Sequence, residues 1–406
     1  MTAFTALWDS LLPAGRDPRT GGYRRFSWTE ADAACRQWFK ERAAERSLRA
    51  TCDRDGNLWA WWDCPGSPHR AIVTGSHLDS VPDGGAFDGP LGVVSAFAAI
   101  DLLREAGHVP VRPIAVAAFC EEEGARFGLA CLGSRLLTGA IAPEAARRLA
   151  DGAGVSLADA MTAAGLDPGG LGPDEDLLAG LGAFVELHIE QGSALAGQGA
   201  AIGIADGIWP HGRWRLDFTG RADHAGTTRI ADRRDPMLPY AVTVLAARQA
   251  AARHDALATF GKVSAEPGGA NAICSAVRAW LDARAPDEAA LRRLVDEVTA
   301  AAREAAAAHG VQVSVHAESL SPPVAFDAGL RGRLAESLRA RGIAAPVLPT
   351  GAGHDAGVLA ARLPAAMLFV RNPSGVSHSP AERAELADCE AGVTALAAVL
   401  EDLACR

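Results

Sequence analysis

Strand-like and helix-like segments alternate along the first 210 residues and again after residue 322, and this predicts an α/β fold with a mixed, mostly parallel sheet flanked by helices. Two observations carry that reading. PIAVAAFC and AAMLFV are short, wholly apolar runs, the pattern of strands buried on both faces of a parallel sheet. Polar clusters also fall repeatedly where such a run stops, as in AIVTGSHLDS and GAFVELHIEQG. A third observation sets the middle apart. Residues 211–321 read as strand, helix, strand, strand, helix, strand, which is a split βαβ arrangement and predicts an inserted α+β ferredoxin-like domain. The expected division is therefore 1–210 with 322–406, and 211–321.

Taken in order, Trp28 to Arg49 has the spacing of an amphipathic helix, and NLWAWW and AIVTGSHLDS follow as strands. The glycine-rich VPDGGAFDGPLG leads into an apolar helix running through Leu103. DPGGLGPDED, at 167–176, reads as a surface loop. In the inserted segment the helices are Pro236 to Arg253 and Glu288 to Ala308, and the chain ends in a long helix from Ala381 to Leu403.

A chain of 406 residues suits two domains, and 49% apolar with 22% charged residues is ordinary for a globular protein. The net charge of −10 is spread without a Lys/Arg stripe, so nucleic acid is not an expected partner. Asp9 and two prolines interrupt the beginning of the sequence where a secretory signal needs an apolar run, and no stretch approaches the ~20 residues that cross a bilayer. The expected setting is cytoplasmic, away from membranes. Eight scattered cysteines without a CxxC pair are read as reduced thiols.

The chemistry-bearing residues cluster at strand ends. His77 closes an apolar strand, Asp79 follows two residues later, and Asp88 lies among glycines; imidazole and carboxylate suit Zn²⁺ and similar ions. Taken alone, an HxD pair is a common strand-end feature. EEEG after PIAVAAFC is less ordinary, because three adjacent carboxylates against a buried strand repel one another unless cations compensate them. HIEQG adds His188, and SGVSHSPAE adds His378. Five N/O ligands, His77, Asp88, Glu123, His188 and His378, suit two divalent ions that share one carboxylate. Asp79 is placed to fix the tautomer of His77 from its other ring nitrogen.

The ordered blocks GSHLDSVPDGGAFDGPLG, EEEGARFG, HIEQG, HAGTT, GAGHDA and GVSHSPAE resemble the M20 metallopeptidase-type amidohydrolases, specifically the hydantoinase/carbamoylase branch, over nearly the whole chain. The resemblance implies a Zn-peptidase-like catalytic domain, with the inserted domain serving as lid and dimerisation surface of a homodimer. It implies Asp88 as bridging ligand, Glu122 as general base, and His224 as an oxyanion-stabilising residue donated to the partner subunit. Asn271 and Arg284 would hold a substrate carboxylate, and Gln191 a substrate amide. It also implies a cis peptide at Asp88–Gly89. Glu121 is read as a structural acid, and His354 and Asp355 as supporting the site. Two divalent ions are the implied cofactors, Zn²⁺ first, with Mn²⁺, Co²⁺ or Ni²⁺ as alternatives.

The implied activity is hydrolysis of a C–N bond in a small ureido or N-carbamoyl carboxylic acid, with allantoate preferred. N-carbamoyl-L-amino acid hydrolase and β-ureidopropionase are the alternatives within the branch. An aminopeptidase or carboxypeptidase, or an N-formyl amino acid deformylase, is the alternative outside it.

Overall fold

The computed structural model describes residues 2–406. The chain divides into two compact units, one formed by the residues up to Gly207 together with Ala325–Arg406, the other by Ile208–Val324.

The strands in chain order are β1 (Arg49–Cys52), β2 (Leu58–Trp62), β3 (Ala71–His77), β4 (Ile114–Phe119), β5 (Leu181–Ile189), β6 (Ile202–Ile208), β7 (His211–Thr219), β8 (Asp223–His224), β9 (Leu257–Glu266), β10 (Ala272–Ile273), β11 (Ala276–Arg284), β12 (Gln312–Ser321), β13 (Val324–Ala325), β14 (Val347–Thr350) and β15 (Ala365–Val370). Among the described residues, nine of these form one sheet in the order β1-β2-β4-β3-β5-β15-β6-β13, with β14 paired to β6. The four central strands, β4, β3, β5 and β15, run parallel. β1, β2 and β6 join antiparallel, so the sheet is mixed.

The parallel centre explains why its strands are apolar along their whole length. Helices cover both faces, and β3, β4 and β15 are buried at every position. The helix Pro90–Glu105 buries twelve of its sixteen residues and packs on this sheet and on the terminal helix Leu386–Ala404. Gly89 and Pro90 start it as N-cap and first helical residue, positions where a missing side chain and a missing N–H cost least. Parallel register also aligns strand ends: His77 lies opposite Phe119, and His188 opposite Phe369. Side chains that follow β3, β4, β5 and β15 therefore emerge along one edge of the sheet, where open α/β sheets bind ligands.

The second unit is a four-stranded antiparallel sheet in the order β12-β7-β11-β9. Helices Met237–Arg253 and Glu288–Ala308 pack against it through a core that includes Leu216, Phe218, Val277, Leu281, Leu294 and Val298.

Several boundaries differ from the sequence reading. The helix expected over Trp28 to Arg49 is Glu30–Glu45, and a helix that was not expected, Ala3–Leu11, precedes it. Trp28 takes a left-handed backbone and donates its N–H to Asp32 Oδ2, which halts the helix there, and Arg49 already belongs to β1. The last helix starts at Leu386, because residues before it are drawn into a turn by the Glu382 side chain described below. The segment 167–176 is less loop-like than expected: it holds a short 3-10 turn at Pro168–Gly170, buries Leu171, and enters a helix at Glu175. Asp88–Gly89 is trans; Glu266–Pro267 is the cis bond among the described residues. With φ of +85°, Gly89 makes the sharp entry into its helix through backbone torsion instead.

Gly75 sits mid-strand in β3 with φ of +138°, and a Cβ there would lie 1.9 Å from the carbonyl oxygen of Ala117 on β4. Gly75→Ala should therefore cost more than about 3 kcal/mol and lower the melting temperature by about 6 °C or more, read by thermal denaturation.

Candidate metal centre

Asp88 is 5% exposed and stands at the middle of the cluster. Its Oδ1 lies 3.2 Å from His188 Nε2 and 3.7 Å from His77 Nε2. Its Oδ2 lies 3.3 Å from His378 Nε2, and His378 Nε2 is 3.6 Å from Glu123 Oε2. Two triads result, His77–Asp88–His188 and Asp88–Glu123–His378, with each set of ligand atoms inside 4.8 Å. One carboxylate thus turns one oxygen to each triad.

Neighbouring groups fix the orientation of each ligand. His77 Nδ1 faces the Asp79 carbonyl at 3.2 Å and its carboxylate at 3.4 Å, and His188 Nδ1 faces the Ile189 carbonyl at 2.8 Å. Protonated Nδ1 leaves both Nε2 atoms free to ligate. Asp79 accepts in addition the backbone N–H of Glu122 at 3.2 Å and of Glu123 at 3.1 Å, so one carboxylate ties the end of β3 to the turn carrying these two glutamates. Gly89 allows the helix start to approach His77: a Cβ there would meet its ring at 2.4 Å.

The donor set fits divalent cations. His77 Nε2, His188 Nε2 and Glu123 Oε1 are buried without a hydrogen-bond partner, a costly condition that a cation at each triad relieves. The titration behaviour points the same way. Burial opposes a charged His77, yet Glu122, Asp79 and Asp88 hold its pKa well above the ordinary value. His378 is raised to about 9, chiefly by its hydrogen bond to Asp88. Burial pushes Glu122 well above the carboxylate range, and brings Glu123 to about 7. Asp88 moves the other way: burial would raise it, but His188, His378 and His77 outweigh that and hold it well below its ordinary value.

Glu122 is 6% exposed, with Oε2 at 3.7 Å from His77 Nε2 and Oε1 at 3.3 Å from the Cys131 thiol. Glu121, the first of the three glutamates, is engaged by the turn that follows. It has a left-handed backbone and accepts the N–H groups of Arg126 and Phe127 at 2.9 and 2.7 Å. Gln191 Nε2 donates to Asp88 Oδ2 at 2.8 Å. His354 packs edge-on against His188 with centroids 4.5 Å apart, and burial together with His188 keeps it neutral. Asp355 accepts from Ser134 Oγ at 2.5 Å, and burial together with the nearby Glu186 pushes its pKa well above the ordinary value.

The remaining three expected residues lie in the Ile208–Val324 unit. His224 and Asn271 are neighbours there: β8 pairs with β10, and the Ala225 N–H donates to the Asn271 carbonyl at 3.0 Å. His224 caps its own turn, Nδ1 accepting from Gly226 at 2.9 Å and Thr227 at 3.2 Å, which leaves an exposed Nε2 as the protonated nitrogen. Arg284 is half-buried at the end of the central strand β11 and pairs with Asp282 at 2.8 Å.

Sequence reading missed Glu382. Its Oε1 accepts the N–H groups of Phe87 and Asp88, both at 3.0 Å, and its Oε2 lies 3.3 Å from Ser377 Oγ, which also reaches Asp88 Oδ2 at 3.2 Å. It thereby ties the Asp88 loop to the His378 loop. The available signal was its place four residues after His378 in GVSHSPAE. Glu186 was missed as well: buried within β5, it accepts from Ser76 Oγ at 2.7 Å and from the Ala356 N–H at 3.0 Å, which anchors the segment carrying His354.

Residues 73–402 match Peptidase family M20/M25/M40. The chain belongs to that family. It is 34% identical to the allantoate amidohydrolase of Escherichia coli (strain K12), over 97% of this chain and 96% of that one. It is 35% identical to the N-carbamoyl-L-amino acid amidohydrolase of Geobacillus stearothermophilus, over 96% of each. Among solved structures, a hydantoinase/carbamoylase family amidase from Burkholderia ambifaria superposes with a TM-score of 0.83 at 34% identity, covering 98% of this chain and 97% of that one. As an M20 member with these relatives, the chain is an amidohydrolase, and the two triads just described are clusters whose side chains could hold a metal ion.

Because His378 is raised to about 9 and the pKa values of His77 and His188 are raised as well, metal binding must displace protons. Zinc titration of the metal-free protein should release protons at about pH 7, and apparent affinity should climb between about pH 6 and about pH 9, measured calorimetrically in buffers of different ionisation enthalpy. Affinity independent of pH would contradict the ligand assignment.

Proposed function

We propose that this chain is a two-metal amidohydrolase that cleaves a C–N bond of a small ureido or N-carbamoyl carboxylate, allantoate being the first choice. The observation that carries the reading is the division of the two Asp88 oxygens between two triads. Zinc is the preferred ion for a site of imidazole and carboxylate, with manganese, cobalt and nickel as alternatives.

A ureido carbonyl is poorly electrophilic because two nitrogens donate into it. When bound, a pair of divalent ions supplies Lewis acidity and makes water acidic enough to attack near neutrality. His77, Asp88 and His188 would hold one ion, and Asp88, Glu123 and His378 the other. Glu122 takes a proton from the attacking water and returns it to the leaving nitrogen, which otherwise departs poorly. Its raised affinity for a proton suits that exchange. Gln191 addresses the substrate amide. Arg284, with its planar guanidinium, and Asn271 address the substrate carboxylate.

The Ile208–Val324 unit acts as lid and dimerisation domain, and His224 of each subunit serves the other's site as a donor to the oxyanion. Support for a dimer comes from exposed apolar residues on that unit. Met237, Leu238, Val242 and Leu245 line one helix, and Leu257 and Val263 lie on the edge strand β9, an arrangement that invites strand pairing. The exposed, protonated Nε2 of His224 suits an oxyanion donor. No helix among the described residues is long and apolar enough to cross a membrane, and a cytoplasmic setting is proposed with this chemistry.

Three outcomes test these readings. Metal-loaded enzyme should release ammonia from allantoate faster than from N-carbamoyl amino acids or β-ureidopropionate, with formate from N-formylglutamate and dipeptide cleavage as controls; inactivity on every ureido compound would refute the assignment. Glu122→Gln should lower kcat by about 10²- to 10⁴-fold with two ions still bound per chain by elemental analysis. Leu245→Glu combined with Val263→Glu should give monomers by light scattering and lower activity about 10²-fold or more while metal content is kept; a fully active monomer would remove His224 from the mechanism.

A further inference from the structure

Three residues with left-handed, non-glycine backbone gather at this site: Glu121 with φ of 51°, Cys131 with φ of 56° and His378 with φ of 55°. Such backbone costs about 1 kcal/mol where glycine is nearly free of strain, so a side chain retained there needs a use of its own. Glu121 and His378 have one in the contacts already described. Cys131 requires a separate account.

The backbone of Cys131 and the two residues after it grips the turn beyond β4. Cys131 N–H donates to the Glu122 carbonyl at 2.6 Å, Leu132 N–H to that of Glu121 at 3.1 Å, and Gly133 N–H to that of Cys120 at 3.0 Å. A glycine at 131 would make the same main-chain bonds with less strain. What a glycine cannot supply is the thiol, whose Sγ–H donates to Glu122 Oε1 at 3.3 Å. Cys131 is 3% exposed and Glu122 6%, so water does not compete for this contact. A thiol is a weak donor, but desolvated surroundings strengthen its bond to a carboxylate. Burial and the nearby Glu122 hold the thiol well above its ordinary pKa, which keeps the proton on sulfur.

We propose that Cys131 is a positioning residue of the reaction: its thiol holds one oxygen of Glu122 from behind and so presents the other, Oε2, toward His77 and the space between the triads. The proposal rests on Glu122 serving as the general base. Without the thiol the carboxylate gains rotational freedom, and the proton exchange slows while substrate affinity is left alone. Neither the cysteine nor its contact follows from the ligand set, which is complete without it.

Two measurements test this on the metal-loaded, full-length protein. The S–H stretching band of Cys131, isolated as the infrared difference between wild type and Cys131→Ser, should lie below that of a free thiol and move upward in Glu122→Gln. In turnover, Cys131→Gly should lower kcat about 10-fold with KM within about twofold and a melting temperature equal to or above wild type, and Cys131→Ser should recover most of the loss. A band that Glu122→Gln leaves unmoved, or a wild-type kcat in Cys131→Gly, would overturn the proposal. Wild-type protein inactive on every ureido substrate would instead sink the reading of the site, while the infrared band still decides the thiol contact without turnover.

Discussion

The site rests on one buried carboxylate shared between two groups of ligands. Asp88 is almost fully enclosed, and the carboxylates of Asp79, Glu121, Glu122, Glu186 and Asp355 are buried with it. So much negative charge out of water is tolerable only where imidazolium, backbone N–H groups or metal ions offset it. Asp88 finds its compensation in His77 and His188 on one oxygen and His378 on the other. Main-chain N–H groups offset the charge of Asp79 and part of that of Glu121, while burial raises the pKa of Asp355 and brings Glu121 to about 7. The same surplus of negative charge that makes the cluster costly without cations makes it a selective place for them.

Holding that arrangement is the work of the sheet and of residues with no direct part in the chemistry. Four parallel strands end at one edge, and this brings together His77, the Glu121–Glu123 turn and His188, of which the first and last are 111 residues apart in the chain. Glu382 and Ser377 then tie the loop bearing Asp88 to the loop bearing His378, and Glu186 anchors the segment bearing His354. Glycines at 75 and 89 allow the backbone approaches that a Cβ would block. The ligands are few, but their geometry is over-determined by these contacts.

The inserted unit follows a different logic. Its antiparallel sheet buries one face under two helices and leaves an edge strand and an apolar helix stripe uncovered. Three residues that the family resemblance singled out, His224, Asn271 and Arg284, lie in this unit and not in the one that holds the ligands.

The sequence by itself determined the α/β class, the insertion of a split βαβ unit, and which five side chains, His77, Asp88, Glu123, His188 and His378, gather into the two clusters. Apolar runs and strand-end polar clusters are local patterns, and HxD, EEEG, HIEQG and GVSHSPAE are contiguous. Tertiary structure decided what no local pattern encodes. It decided that Asp88 turns one oxygen to each triad, that Glu121 accepts the N–H groups of Arg126 and Phe127, and that Glu382 and Cys131 reach across to hydrogen-bond the Asp88 N–H and the Glu122 carboxylate. It also decided that Asp88–Gly89 stays trans, that the helix expected over Trp28 to Arg49 spans only Glu30–Glu45, and that the last helix starts at Leu386 and not at Ala381. The physical reason is common to all of these: orientation and hydrogen-bond partner are set by whichever distant atoms packing brings within about 3 Å, and residues far apart in the chain carry no mutual signal until the sheet aligns them.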